Sequence, residues 1–121
     1  MSYEHVKRWR SKNKVKNARM TYEDKARRIK RRAGLLTTIK ERYGCAVCGY
    51  NRCGFAIDVH HIDTATKEAT VAELINKNVG RERIVEEITK CILLCSNCHR
   101  EHHAMNTVLP SRPDYDLSDF Q

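Results

Sequence analysis

The sequence predicts a small α+β domain preceded by a basic helical extension, and three observations lead there. Charge divides the chain: residues 1–43 hold fifteen Lys/Arg against four Asp/Glu, whereas residues 44–121 hold eight against eleven. The cysteines include two pairs with two residues inside each pair, Cys45/Cys48 and Cys95/Cys98. Between and beside those pairs, helix-like and strand-like apolar patterns alternate. With 121 residues, 40% apolar, one Trp and two Phe, only one small core is expected. The divisions fall at residues 1–43 for the extension, 44–105 for the compact domain and 106–121 for an acidic, loose tail.

Within the extension, residues 2–20 read as a helix, or one that forms on binding. Tyr3, Val6 and Trp9 recur at three-residue spacing, and Lys7, Arg8, Arg10, Lys12, Lys14 and Lys16 cover most other faces. A second helix is expected from Thr21, where Thr21 and Asp24 approximate a capping box. It continues through Ala26, Ile29, Ala33, Leu36, Ile39 and Tyr43, with Arg27, Arg28, Lys30, Arg31 and Arg32 on the other faces. Gly34 marks a weak point and Gly44 a stop.

In the compact domain, Gly49 permits the turn after the first cysteine pair. Residues 55–62 are apolar and β-branched enough for a strand. Thr70 and Glu73 cap a short helix that ends near Gly80. Residues 81–90 look helical through Ile84, Val85 and Ile88, and residues 91–94 form a second short strand. Residues 97–105 form a last helix, on which His99 and His103, four apart, share a face. From Leu109 onward, Pro110, Pro113, Asp114, Asp116 and Asp119 describe the loose tail.

Two thiol pairs of this spacing are a zinc pattern, because two intervening residues let both sulfurs of a tight turn face one tetrahedral ion. Residues 1–8 carry no apolar leader, and no stretch reaches the roughly 18 apolar residues of a membrane span. The expectation is a cytoplasmic protein with no membrane partner and with reduced, metal-binding cysteines. Cys53 and Cys91 read as small buried residues; His5 and His102 read as exposed and uninvolved. Once Cys45, Cys48, Cys95 and Cys98 close a structural Zn2+ site, His60, His61, His99 and His103 are free to build a second, open site. The basic extension reads as an electrostatic grip on a polyanion.

Taken together, Cys45, Cys48, the DVHHID run at residues 58–63 and the LLCSNCH run at residues 93–99 resemble the HNH endonucleases of the ββα-metal superfamily, in their zinc-knuckle form. The resemblance covers roughly residues 45–103. It implies a ββα core stapled by zinc, and a hydrolase that cuts phosphodiester bonds of duplex DNA to leave 5′-phosphate and 3′-hydroxyl ends. His61 would be the general base, and His60, His99 and His103 the ligands of a catalytic divalent metal (Mg2+, Mn2+, Ni2+ or Zn2+). Lys7, Arg8, Arg10, Arg27, Arg28, Arg31, Arg32 and Arg100 would hold the DNA backbone. The resemblance also implies a phage or bacterial host setting, with phage packaging proteins among the candidate partners; oligomeric state and target sequence stay open.

Two expectations are left for the structure. Adjacent residues of a regular strand face opposite ways, so His60 and His61 should reach one site only if the strand ends or bends there. The family's middle Asn, five residues before the second cysteine pair, is Lys90 here, so another group must brace the loop that carries the base. The rival from a different class is a zinc-containing DNA-binding protein with a degenerate, non-catalytic HNH site. An RNA-binding or RNA-cutting protein is a further alternative.

Overall fold

The computed structural model describes residue 8 and residues 14–120, with side chains described for Arg8 and residues 21–120. The expected helix over residues 2–20 therefore falls largely outside the described residues, and Lys7, Arg10 and Trp9 with it. Among the described residues the architecture is α+β. Helix α1 spans Lys14–Tyr43, strand β1 Ile57–His61, helix α2 Val71–Asn76, helix α3 Arg81–Ile88, strand β2 Cys91–Cys95 and helix α4 Ser96–Met105. The two strands pair antiparallel, with His61 opposite Cys91 and Ile57 opposite Cys95.

Helix α1 runs unbroken through Thr21, where a new helix was expected. Neither Gly nor Pro precedes Gly34, so nothing interrupts the helical hydrogen bonds there, and a hydroxyl residue caps only where the chain actually turns. Gly34 also lies within the helix, with open space where a side chain would stand. Gly44 is the true stop: its φ is +71°, its N–H donates to Lys40 O at 2.8 Å, and a side chain would meet Tyr50 O at 2.9 Å. Gly54 serves a different purpose. It lets the turn before β1 lie against α1, where a Cβ would come within 2.7 Å of Thr37 Cγ2.

The hairpin is covered on both faces, and strand period sorts its residues. On β2, Cys91 and Leu93 join the main core, with Leu36 and Ile39 of α1, Leu74 and Ile75 of α2, and Ile84 and Ile88 of α3. Ile92 and Leu94 face the other way and pack with Cys45, Cys95 and Cys98. All five residues of β2 are buried in consequence. The cap read for α2 is present: Thr70 Oγ1 accepts from Glu73 N at 3.1 Å.

Two expectations are corrected here. Arg32, counted among the DNA-holding residues, is 3% exposed and donates from Nη1 to Val79 O at 2.8 Å. It ties α1 to the turn after α2 and is spent inside the fold. The segment expected to be a loose tail is packed. Tyr115, Leu117 and Phe120 belong to the main core, and Phe120 is 0% exposed. Leu93 N donates to the Tyr115 hydroxyl at 3.1 Å, Asp116 N donates to the Tyr43 hydroxyl at 2.7 Å, and Arg81 donates to Phe120 O. The acidic composition concealed three large apolar groups spaced to reach the core.

That packing has a measurable consequence. Phe120→Ala should destabilise the protein by about 3–5 kcal/mol, as truncation of a buried Phe does, in denaturant or thermal unfolding. Val108→Ala, at a residue 96% exposed, should stay within about 0.5 kcal/mol of the parent. Equal, negligible effects would mean the segment does not pack.

Candidate metal centres

The first centre forms where the end of α1 meets the end of β2. The turn after Gly44 closes through Cys45 N to Tyr50 O at 2.8 Å and Gly49 N to Cys45 O at 2.9 Å. Ala46 N to Leu93 O, 2.9 Å, pins it to β2. Cys95 ends β2 and also caps α4, its sulfur accepting from Cys98 N at 3.4 Å. The sulfurs of Cys45, Cys48, Cys95 and Cys98 all lie within 4.8 Å of one another, Cys48 and Cys95 at 3.7 Å.

Thiols so placed cannot all ionise by themselves. At Cys45, burial is outweighed by hydrogen bonds from Cys48, Cys95 and Val47, which hold the pKa down to about 6. The thiol of Cys98 is pushed well up, first by burial and then by the other three sulfurs. A shared cation removes that conflict, and four convergent sulfurs suit zinc. This donor set could hold a structural metal ion. Cys91 stands apart: burial, then the Glu87 charge, pushes its thiol up to about 12, as befits an inert core residue. Cys53, expected to be buried, is exposed.

The second centre lies between the hairpin and α4. Asp58 and His60 share one face of β1 and look toward α4; His61 is on the opposite face with Ile57 and Val59. His60 Nδ1 is 3.2 Å from His99 Nε2, which is 3.0 Å from His103 Nε2. His99 is turned by Asp58: its Nδ1 donates to Asp58 Oδ2 at 2.9 Å, leaving Nε2 as a lone-pair donor toward the cluster. Burial, then the neighbouring His99, His102, His103 and His61, lowers the pKa of His60 to about 4. A neutral imidazole is the form that ligates. Bonds of about 2.0–2.1 Å from imidazole nitrogen to a cation such as zinc put ligand nitrogens about 3 Å apart, and with all three within 4.8 Å of one another this triad could hold a metal ion. His102, expected to be uninvolved, sits nearby with its ring 5.1 Å from that of His60, but its Nδ1 is turned to Thr107 O at 2.8 Å.

His61 is the last residue of β1, and the chain bends at Ile62, as the paired histidines led one to expect. His61 points away from His60, yet at the end of β1 both line one open cavity of about 300 Å3, with Thr64, Lys67, Thr70, His99 and His103. Its Nε2 is 2.8 Å from Oε1 of Glu87, a residue 1% exposed that the sequence reading passed over. Lys90 does not reach into the cavity. Its ammonium donates to Thr66 O at 2.9 Å and to Glu87 Oε2 at 3.0 Å, so it braces the turn that follows β1. Glu87 was legible only as a polar position on α3; no local pattern connects it to His61, 26 residues earlier.

The basic residues divide too. Arg8, Arg27, Arg28, Arg31 and Arg100 are exposed, and Arg27 is paired with Asp24. No described helix is long and apolar enough to cross a membrane. No protein-family model, no curated protein and no solved structure matches the chain.

Both centres can be tested by metal content. The protein should retain about one zinc per chain after dialysis, and Cys98→Ser should abolish that retention together with the cooperative thermal transition. Asp58→Ala should weaken binding of a second divalent ion by about 10–100-fold in calorimetric titration while leaving the first in place.

Proposed function

We propose that this protein is a metal-dependent endonuclease of the HNH type, hydrolysing phosphodiester bonds of duplex DNA. The observation that carries the reading is the shared cavity: a three-imidazole set fit for a divalent cation opens beside a further imidazole, His61, that is not part of it. A structural site alone would need neither the open face nor the extra histidine. Cys45, Cys48, Cys95 and Cys98 would hold a structural zinc that keeps α4 against the hairpin.

His60, His99 and His103 would hold the divalent cation, whose chemistry is to offset negative charge gathering on the phosphate oxygens. His61 takes a proton from water as that water's oxygen bonds to phosphorus. The bond from phosphorus to O3′ breaks, the departing oxygen gains a proton from solvent, and a 5′-phosphate and a 3′-hydroxyl remain. Lys67, on the cavity rim, adds positive charge beside the phosphate. The exposed Arg27, Arg28 and Arg31 of α1, with Arg8 and Arg100, hold more distant phosphates by displacing counterions, so affinity falls steeply with salt. Lys7 and Arg10 belong to the same basic run. Arg32 is left out because it is buried.

A non-catalytic DNA-binding role is the second reading, since the exposed Arg27, Arg28 and Arg31 would serve it equally. Cleavage of supercoiled plasmid by metal-stripped protein, with Mg2+, Mn2+, Ni2+ or Zn2+ restored, separates the two. The endonuclease should nick in a metal-dependent manner, and His61→Ala should lose about 10²–10⁴-fold in rate, the usual worth of a general base, with DNA binding retained. Tight, salt-sensitive binding without nicking by the parent protein would establish the binding role instead.

A further inference from the structure

Glu87 is a carboxylate in the interior, and its surroundings are built for it. Oε1 receives the Glu68 backbone N–H at 3.1 Å and lies 2.8 Å from His61 Nε2, while Oε2 receives Lys90 Nζ at 3.0 Å. Burial opposes its charge, but donation from Lys90, His61 and the Glu68 N–H holds its pKa down at about 2, so it is ionised. A buried ion pair of this kind is weak evidence for stability, because desolvation offsets most of the attraction. An apolar side chain would fill the same interior position without that cost. The chain instead keeps a charge aimed at the one histidine of the cavity outside the three-imidazole set.

We propose that Glu87, itself held by Lys90, is the positioning residue of the hydrolytic site: it fixes His61 as the tautomer protonated on Nε2, and so makes Nδ1 the nitrogen that accepts the proton from water. The inference rests on the endonuclease reading and specifies how its base is prepared. An ionised carboxylate can only accept, so Nε2 must carry the hydrogen in their 2.8 Å contact. Nδ1 is then left with a lone pair. When Nδ1 takes the water proton, the ring becomes cationic, and the adjacent carboxylate stabilises that charge. Lys90 completes the arrangement in two ways. It neutralises the second carboxylate oxygen, and through Thr66 O it holds the turn between β1 and α2 against the end of α3. One lysine thereby fixes both the carboxylate behind the histidine and the loop beside it.

A merely structural ion pair would make different predictions. Glu87→Gln preserves shape but removes the charge. In folded, zinc-loaded Glu87→Gln protein, kcat for plasmid nicking should fall by about 10–100-fold, as with other orienting partners, with KM and zinc content unchanged. Nitrogen NMR of histidine-labelled parent protein should show the hydrogen of neutral His61 on Nε2, and Glu87→Gln should yield a mixture of tautomers. An undiminished kcat in the folded variant, or a parent His61 protonated on Nδ1 alone, would overturn the assignment while leaving the endonuclease reading intact. No nicking by the parent with any added cation would overturn both. Should Glu87→Gln not fold, the tautomer of the parent decides the matter.

Discussion

Cys45 and Cys48 stand just after the long helix, whereas Cys95 and Cys98 stand where β2 turns into α4, and their four sulfurs meet within 4.8 Å. The histidine cluster is built on the helix that starts at that meeting. The meeting anchors α4 by its first turn, and the direction of α4 decides whether His99 and His103 lie over His60. The apolar group beneath it is small: among the described residues, Ile92 and Leu94 are buried there with three of the cysteines, and Ala46, Tyr50 and Leu109 pack against them. A cation bound by the four sulfurs would add to this small group and to the bonds from Ser96 to Ala56 O and from His99 to Asp58 that tie α4 down.

The opposite face of the hairpin is held by ordinary burial. Leu74, Ile84 and Phe120 fill it almost without exposure, and the C-terminal segment closes over it with Tyr115 set edge-on against Tyr43, ring centres 4.8 Å apart. This difference between faces matters to the site. His60 faces the cysteine-dependent side, and His61 faces the core side, where Glu87 is locked in place. The cavity thus lies along a seam between the side that carries the cysteines and the hydrophobic side. Its two kinds of histidine are set by separate structural devices.

Much of the fold could be read in advance because its signals are short in range. The cysteine pairs, the four-residue step from His99 to His103, the Thr70 cap and the Gly44 stop each act within a few residues, where the backbone alone fixes the geometry. The helix break placed at Thr21 did not occur for a related reason: a cap is one option open to a threonine, and an uninterrupted helix left it unused. The packed C-terminal segment and buried Arg32 eluded the sequence because both depend on what lies opposite. Two prolines and three aspartates look the same whether or not Tyr115, Leu117 and Phe120 find a core.

The sequence by itself determined the donors: four thiols in two tight turns and a pair of imidazoles on one helical face, since ligand spacing and helical period are local properties. Only the tertiary structure decided their company. Strand alternation sent His60 to His99, 39 residues away, and His61 to Glu87. Antiparallel register then brought Lys90 beneath the turn that follows β1, through Ile62 N to Lys90 O at 3.1 Å. A buried charge is tolerated only where its partners converge, and no local pattern in a chain records where three distant segments will meet.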